Sequence, residues 1–168
     1  ERYGVYGDLE VIVHSINDMD GYILRQITVK YLSEEHHVSH YWYTAWPDHK
    51  APSTARPLLQ LVKAVETQRT APVTHGDANS NQGAASRGPV IVHCSAGIGR
   101  TGCFIATSVG LQQLQQEHCV DVLAMTCQMR LDRGGMIQTN EQYEFVHHAL
   151  ALFEKELPEK LSDTSPLD

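Results

Sequence analysis

The sequence predicts an α/β (α+β) fold, and three observations predict it. Two-residue alternation dominates the chain up to Ala45, one continuous apolar run stands around Val90, and helical periodicity fills most of the chain beyond that run.

Taken in order, Leu9, Val11 and Val13 share one side of a strand over residues 9–13, and a turn-rich stretch, 17–21, comes next. Ile23, Ile27, Val29 and Tyr31 keep one parity through a second strand, 22–31. A polar turn at 33–36 leads to a third, aromatic-rich strand at 38–45. Short connections between consecutive strands predict an antiparallel meander. Pro47 and Pro52 forbid further pairing and make 46–52 a loop. Leu58, Leu61, Val62 and Val65 then recur at helical spacing, with Ser53 or Thr54 as the cap. Residues 70–88 are rich in Gly, Ala, Ser, Asn and Thr and supply no apolar face, so a mobile surface loop is expected there.

The run at 89–92 ends in a glycine-containing turn, the pattern of a strand buried on both faces in mid-sheet. Three helices should come after it. The first covers 101–117 with Phe104, Ile105, Val109 and Leu111 toward the core. The second covers 121–131 and is stopped by Gly134 and Gly135. The third starts near Thr139, where Thr139 and Gln142 have capping-box spacing, and runs through Tyr143, Val146, Leu150 and Phe153. Residues 1–157 read as part of one domain and 158–168 as a disordered tail.

A 168-residue chain with 42% apolar residues can bury a sizeable core, and no apolar stretch approaches the ~20 residues that span a bilayer. No basic-then-apolar secretory segment opens it. A formal charge of -7 argues against a general nucleic-acid surface, although a local anion site remains compatible with it. The four cysteines, Cys94, Cys103, Cys119 and Cys127, form neither a disulfide framework nor C-x-x-C pairs, which fits a reducing, cytoplasmic setting.

Residues 93–102 carry the chemistry. His93, Cys94, Ser95, Ala96, Gly97, Ile98, Gly99, Arg100 and Thr101 join the buried run to a helix N-terminus. Amide donors of such a loop converge with the unpaired donors of the first helical turn, and Gly97 and Gly99 clear room for an anion. The cradle suits a phosphate dianion. A thiol at its start feels the same donors, which should bring its pKa from ~8.5 into the ~3.5–7.5 range. Arg100 offers a planar fork for two phosphate oxygens. A thiolate held beneath a phosphate can attack phosphorus in line, without a metal or cofactor. The bland alternative, an inert buried cysteine, fits Cys103, Cys119 and Cys127 better than Cys94, because no anion-binding loop adjoins them. The histidines at 36, 37, 40, 147 and 148 lack metal-ligand spacing and read as solvated or edge positions.

The loop resembles the signature loop of phosphotyrosine-specific protein tyrosine phosphatases. Trp46, Pro47 and Asp48 resemble that family's mobile acid loop, and the segment from Gln138 to Tyr143 resembles its glutamine loop. Residues 41–50, 102–107 and 132–138 further resemble the subfamily whose full-length members dock mitogen-activated protein kinases, in particular its receptor-type R branch. The resemblance implies a central, mixed, highly twisted sheet flanked by helices, the cysteine-dependent phosphatase fold, here truncated at its N-terminus. It implies Cys94 as nucleophile, Arg100 and the amides of residues 95–99 as the phosphate site, and Asp48 as general acid and then base. Gln138, assisted by Gln142, would orient water. Thr101 would stabilise the departing thiolate, His93 order the loop, Trp46 and Pro47 form the hinge, and Arg133 support the site from behind.

For Asp48 alone an ordinary solvated loop aspartate is the competing reading, for Gln142 and Thr101 a helix cap, and for Arg133 a surface cation. The family's phosphotyrosine-recognition loop and an acidic loop that buttresses its arginine would precede Glu1, so the fragment alone is expected to be poorly stable and weakly active. Expected partners are phosphotyrosyl proteins, mitogen-activated protein kinases among them through a docking segment outside this chain, with no nucleic acid and no direct membrane contact by the domain. Two readings compete: a dual-specificity or small-molecule phosphatase, and a catalytically silent phosphotyrosine-binding module. The first shares only the cysteine loop. The second needs neither Asp48 nor Gln138.

Overall fold

The computed structural model describes residues 2–47, 50–71 and 88–158. The chain divides into two compact units, Glu1–Ile91 and Val92–Asp168.

In the first unit, β1 (Tyr3–Tyr6), β2 (Leu9–Met19), β3 (Tyr22–Tyr31) and β4 (Glu34–Tyr43) form an antiparallel sheet in chain order. The α/β class and the meander are as the sequence predicts. Tyr6 pairs with Leu9, Met19 with Tyr22 and Tyr31 with Glu34, so every hairpin turn has two residues. This shortens two expected turns. Asn17, Asp18 and Met19 lie in β2, because pairing with Leu24, Ile23 and Tyr22 outweighs their local turn preference. Glu34, Glu35 and His36 lie in β4, where Glu35 meets the Lys30 ammonium at 2.5 Å. The strand ends at Tyr43, before the expected Ala45, since the Thr44 and Ala45 amides both turn to the Gly21 carbonyl.

Helix α1 (Arg56–Thr70) buries Leu58, Leu59, Leu61, Val62 and Val65. Its N-cap is Ala55, which has no capping side chain, although the Thr54 hydroxyl accepts from the Arg56 amide at 3.4 Å. Ser53 and Thr54 are therefore not the cap, since Pro57 already fixes the first turn. Gln68 of α1 donates to the Ser39 hydroxyl and accepts from the Tyr41 hydroxyl, and Ser39 donates to Gln26. Ser39 and Tyr41 stand opposite Gln26 and Leu24, so the helix covers the even-numbered side of β3. Tyr22 and Thr28 on that side are buried, whereas Ile23, Ile27 and Val29 are only half-buried and Tyr31 is exposed. The parity expected for β3 holds, but the better-covered face is the other one.

The expected mid-sheet strand at 89–92 does not form. Those residues have no ladder partner among the described strands, and Ile91 is 85% exposed. An apolar run becomes a central strand only where two neighbours offer their edges. The described sheet is accordingly antiparallel rather than mixed.

The second unit holds α2 (Gly99–Glu117), α3 (Val122–Asp132) and α4 (Asn140–Glu154). Helix α2 packs on α4 through Cys103, Ala106, Thr107, Gly110, Leu111 and Leu114. Phe104 and Ile105 are half-buried and Val109 is exposed, contrary to expectation, because the small residues let the two helix axes approach. Asp121 caps α3 by accepting from the Ala124 amide at 2.8 Å. Thr139 caps α4, accepting from Gln142 at 3.3 Å, while the Gln142 side chain reaches the Gln138 amide instead of closing a box on Thr139. Val146, Leu150 and Phe153 are buried as predicted. No helix among the described residues is long and apolar enough to cross a membrane. Thr70, expected to open a mobile loop over 70–88, is the last residue of α1, and 72–87 of that loop, like 159–168 of the expected tail, lie outside the described residues.

Candidate active site

The cysteine loop starts the second unit. Residues 95–98 bend, Gly97 takes a left-handed φ of 69°, and helix α2 opens at Gly99. A residue with a β-carbon is strained at that φ, so glycine is the residue that makes the bend freely. Gly99 is required for a different reason. A β-carbon there would lie 2.9 Å from the Gln142 amide nitrogen and 3.3 Å from the Gln138 side-chain oxygen. The glutamine loop therefore abuts the start of the helix.

Cys94 is half-buried at the mouth of the bend. Burial alone opposes its charge, but the Thr101 hydroxyl and amide and the Gly97 and Ile98 amides donate toward the sulfur and bring its pKa down to about 6. It is a thiolate at neutral pH. The buried Thr101 hydroxyl meets no nitrogen or oxygen partner among the described residues, which leaves its proton for the sulfur. Cys103, further along α2, behaves oppositely. Burial, reinforced by the Cys94 charge, pushes it up to about 12, and its thiol points to the Gln142 carbonyl at 3.8 Å.

Arg133 explains the direction of the donors. Its Nε donates to the Gly97 carbonyl and its Nη2 to the Ala96 carbonyl, both at 3.0 Å. In a trans peptide the carbonyl and the following N–H point in opposite directions. Holding the Ala96 and Gly97 oxygens outward thus aims the Gly97 and Ile98 amides inward, and those are two of the donors that lower Cys94. The resemblance implies a supporting role for Arg133, and these two contacts to the cysteine loop are where its side chain lies.

Gln138 is exposed and Gln142 half-buried, and the Gln142 Oε1 accepts from the Gln138 amide at 2.8 Å. Arg100 is exposed on the first turn of α2, Ser95 and Ala96 are exposed, and Ile98 is half-buried. The exposed His93 ring comes within 3.5 Å of the Cys94 carbonyl through Nδ1. In the first unit, Trp46 packs edge-on against Tyr43 with ring centres 6.4 Å apart, anchoring the end of β4, and Pro47 comes next, exposed. Asp48 lies outside the described residues.

One residue escaped the sequence reading. Arg130 donates from Nε to the Met136 carbonyl at 2.9 Å and from Nη2 to the Ile137 carbonyl at 2.8 Å. Ile137 is buried with a left-handed φ of 57°, a conformation that costs a residue of its kind about 1–3 kcal/mol and persists only where neighbours impose it. The only signal in the sequence was a cation in the last turn of α3, which reads as a helix-dipole partner.

A family model described as protein-tyrosine phosphatase matches residues 1–152. The human receptor-type tyrosine-protein phosphatase R is 58% identical over 157 residues, which cover 94% of this chain and 22% of that protein. The human tyrosine-protein phosphatases non-receptor type 5 and type 7 are 51% and 49% identical over 94% of this chain, and 26% and 40% of their own lengths are covered. The chain thus spans between about a fifth and two-fifths of these relatives. With its family model matched along nearly its whole length and its cysteine loop in place, the chain belongs to the protein-tyrosine phosphatase family.

Proposed function

We propose that the protein carrying this chain hydrolyses phosphotyrosine on protein substrates through a cysteinyl-phosphate intermediate. The observation that carries the reading is the Cys94 sulfur, held as an anion by the same inward amides that suit phosphate oxygens. Cys94 attacks phosphorus, the bond to the tyrosyl oxygen breaks, and that oxygen takes a proton from Asp48. Arg100 and the amides of Ser95, Ala96, Gly97, Ile98 and Gly99 bind the equatorial oxygens, whose charge is the main thing a phosphoryl-transfer site must balance. Trp46 and Pro47 form the hinge on which the acid loop moves, and His93 orders the cysteine loop.

In the second step Gln138, assisted by Gln142, orients a water that attacks the phosphorus. The sulfur–phosphorus bond breaks, the water proton passes to the Asp48 carboxylate, and Cys94 leaves as a thiolate supported by Thr101. An amide suits this task because it orients water without competing as a nucleophile. The proton Asp48 gives up in the first step is returned by water in the second, and no cofactor enters the cycle. Likeness to the kinase-docking subfamily adds mitogen-activated protein kinases as substrates and a cytoplasmic catalytic domain, in a protein that is either free or membrane-anchored.

The test compares wild type, Cys94→Ser and Asp48→Ala in the longest natural polypeptide that carries this chain, on a phosphotyrosyl peptide. Turnover should vanish in the first and fall by about 10²–10⁴-fold in the second, with peptide binding retained in both. Turnover that survives Cys94→Ser refutes the reading. Equal rates on phosphoseryl and phosphotyrosyl peptides would move it to the dual-specificity class.

A further inference from the structure

We infer that Arg130 is a positioning residue for the second half of the reaction, fixing the main chain from which Gln138 orients the attacking water. The inference rests on the role proposed above for Gln138 and extends it to a residue outside both loops.

Two consecutive peptide groups, 136–137 and 137–138, are each held at both ends just before Gln138. The Ile137 amide donates to the Ile98 carbonyl at 3.1 Å, and the same oxygen accepts from Gly102 at 3.0 Å as α2 begins. Gly102 leaves no slack on that side, because a β-carbon there would lie 2.5 Å from the Ile137 nitrogen. The Arg130 fork takes the Met136 and Ile137 oxygens, and Gln142 takes the Gln138 amide. The Ile137 oxygen and the Gln138 nitrogen are the two ends of one planar amide, so Arg130 and Gln142 fix that plane from opposite sides. Fixing it sets the direction in which Gln138 leaves the backbone.

Without Arg130, two carbonyls lose a charged donor and the left-handed Ile137 loses one of its restraints. The relaxation nearest to hand turns the 137–138 plane and carries Gln138 with it. Neither Arg130 contact touches the cysteine loop, whose carbonyls Arg133 holds. The two arginines stand three residues apart where α3 ends, and they divide the labour: Arg133 serves the attack by sulfur, Arg130 the attack by water. A merely structural Arg130, completing the C-terminus of α3, would depress both steps together.

Pre-steady-state release of p-nitrophenol from p-nitrophenyl phosphate separates the steps, measured on the longest natural polypeptide carrying this chain. Arg130→Met should release a burst approaching one equivalent per Cys94. A steady rate lowered by about 10- to 100-fold should come after it, the equivalent of one lost charge-assisted hydrogen bond. Acid quench and mass measurement should find Cys94 phosphorylated, while the pH midpoint of its alkylation stays that of wild type. Arg130→Lys, which keeps the charge but not the fork, should fall between. A burst and a steady rate that decline together, with no phosphocysteine accumulating, overturn the inference. If Arg130→Met does not melt cooperatively, the Lys variant decides, and wild-type partitioning in it is equally fatal. The failures are distinguishable, since loss of the function reading shows as wild type that releases no p-nitrophenol, and failure of this inference alone shows as normal wild type with unaltered partitioning.

Discussion

Replacing Arg133 by Met tests whether the Cys94 thiolate depends on the direction of two amides. The side chain holds the Ala96 and Gly97 oxygens at 3.0 Å each, and the opposite ends of those peptide planes donate toward the sulfur. Together with Thr101, the donors bring Cys94 from an ordinary 9.0 to about 6 against the cost of burial. Two of the four donor groups lose their aim when Arg133 is removed. With donors of comparable strength, and with a fraction of each retained by the bend at Gly97, the pKa should climb by about one, or ~1.4 kcal/mol of lost preference for the anion. Because the folded pKa is depressed, the reactive thiolate is lost as pH falls through it, and the variant should lose it at higher pH. Iodoacetamide, which is uncharged across this range, should inactivate the wild type with a midpoint near pH 6 and the variant with a midpoint about one pH unit higher. The acid limb of kcat/KM should move the same way, and Arg133→Lys should recover part of the difference. An unchanged midpoint alongside reduced activity would refute the peptide-plane reasoning and leave Arg133 as packing alone.

Other consequences are simpler to measure. At neutral pH iodoacetamide should label Cys94 well before Cys103, whose thiol is held protonated by burial; peptide mass mapping that finds Cys103 labelled first contradicts the burial argument. Gly102→Ala should destabilise by about 1–3 kcal/mol in thermal melts, because its β-carbon would meet the Ile137 backbone nitrogen, which cannot move aside. Gly99→Ala meets the end of a flexible glutamine instead, so its melt should stay close to wild type while kcat falls; a reversed order of the two melting temperatures would contradict this. In the sheet, the buried Thr28 hydroxyl bridges the His14 ring at 2.7 Å and the His37 ring at 3.0 Å, so Thr28→Val should cost about 1–3 kcal/mol in chemical denaturation, and a neutral result would show the bridge to be dispensable.

The meander was legible because alternation and short turns are local properties, and β3 falls on the residues its parity indicated. Turn ends were not, since Asn17, Asp18 and Glu34 have turn preferences that the register of their partners overrides. The apolar run at 89–92 shows the limit of composition most clearly. Its residues are suited to a buried strand, yet a strand is a relation between segments, and no described neighbour supplies the other half of the ladder. Helix α2 misled for a related reason. Large apolar residues were expected to mark its core face, but close helix contact selected Cys103, Ala106 and Gly110, whose smallness is visible in a sequence only after the partner helix is known.

The site divides along a chemical line. Groups that meet a substrate must be of one particular type, so thiol, guanidinium, carboxylate and amide stand out at fixed spacing, and the roles proposed for Cys94, Arg100, Asp48 and Gln138 start from the chain alone. Groups that aim the backbone are different, because what they grip is a carbonyl, and every residue has one. Nothing in the letters around Arg130 says that its fork will take the oxygens of Met136 and Ile137 rather than solvent. The tertiary turn that brings α3 beside the glutamine loop decides it, and the left-handed Ile137 records the result. On the proposed reading, cations that never touch phosphorus contribute to both steps, Arg133 to the strength of the thiolate beside Thr101 and Arg130 to the aim of the water. This is why replacing Arg133 should move a pH midpoint and replacing Arg130 should not.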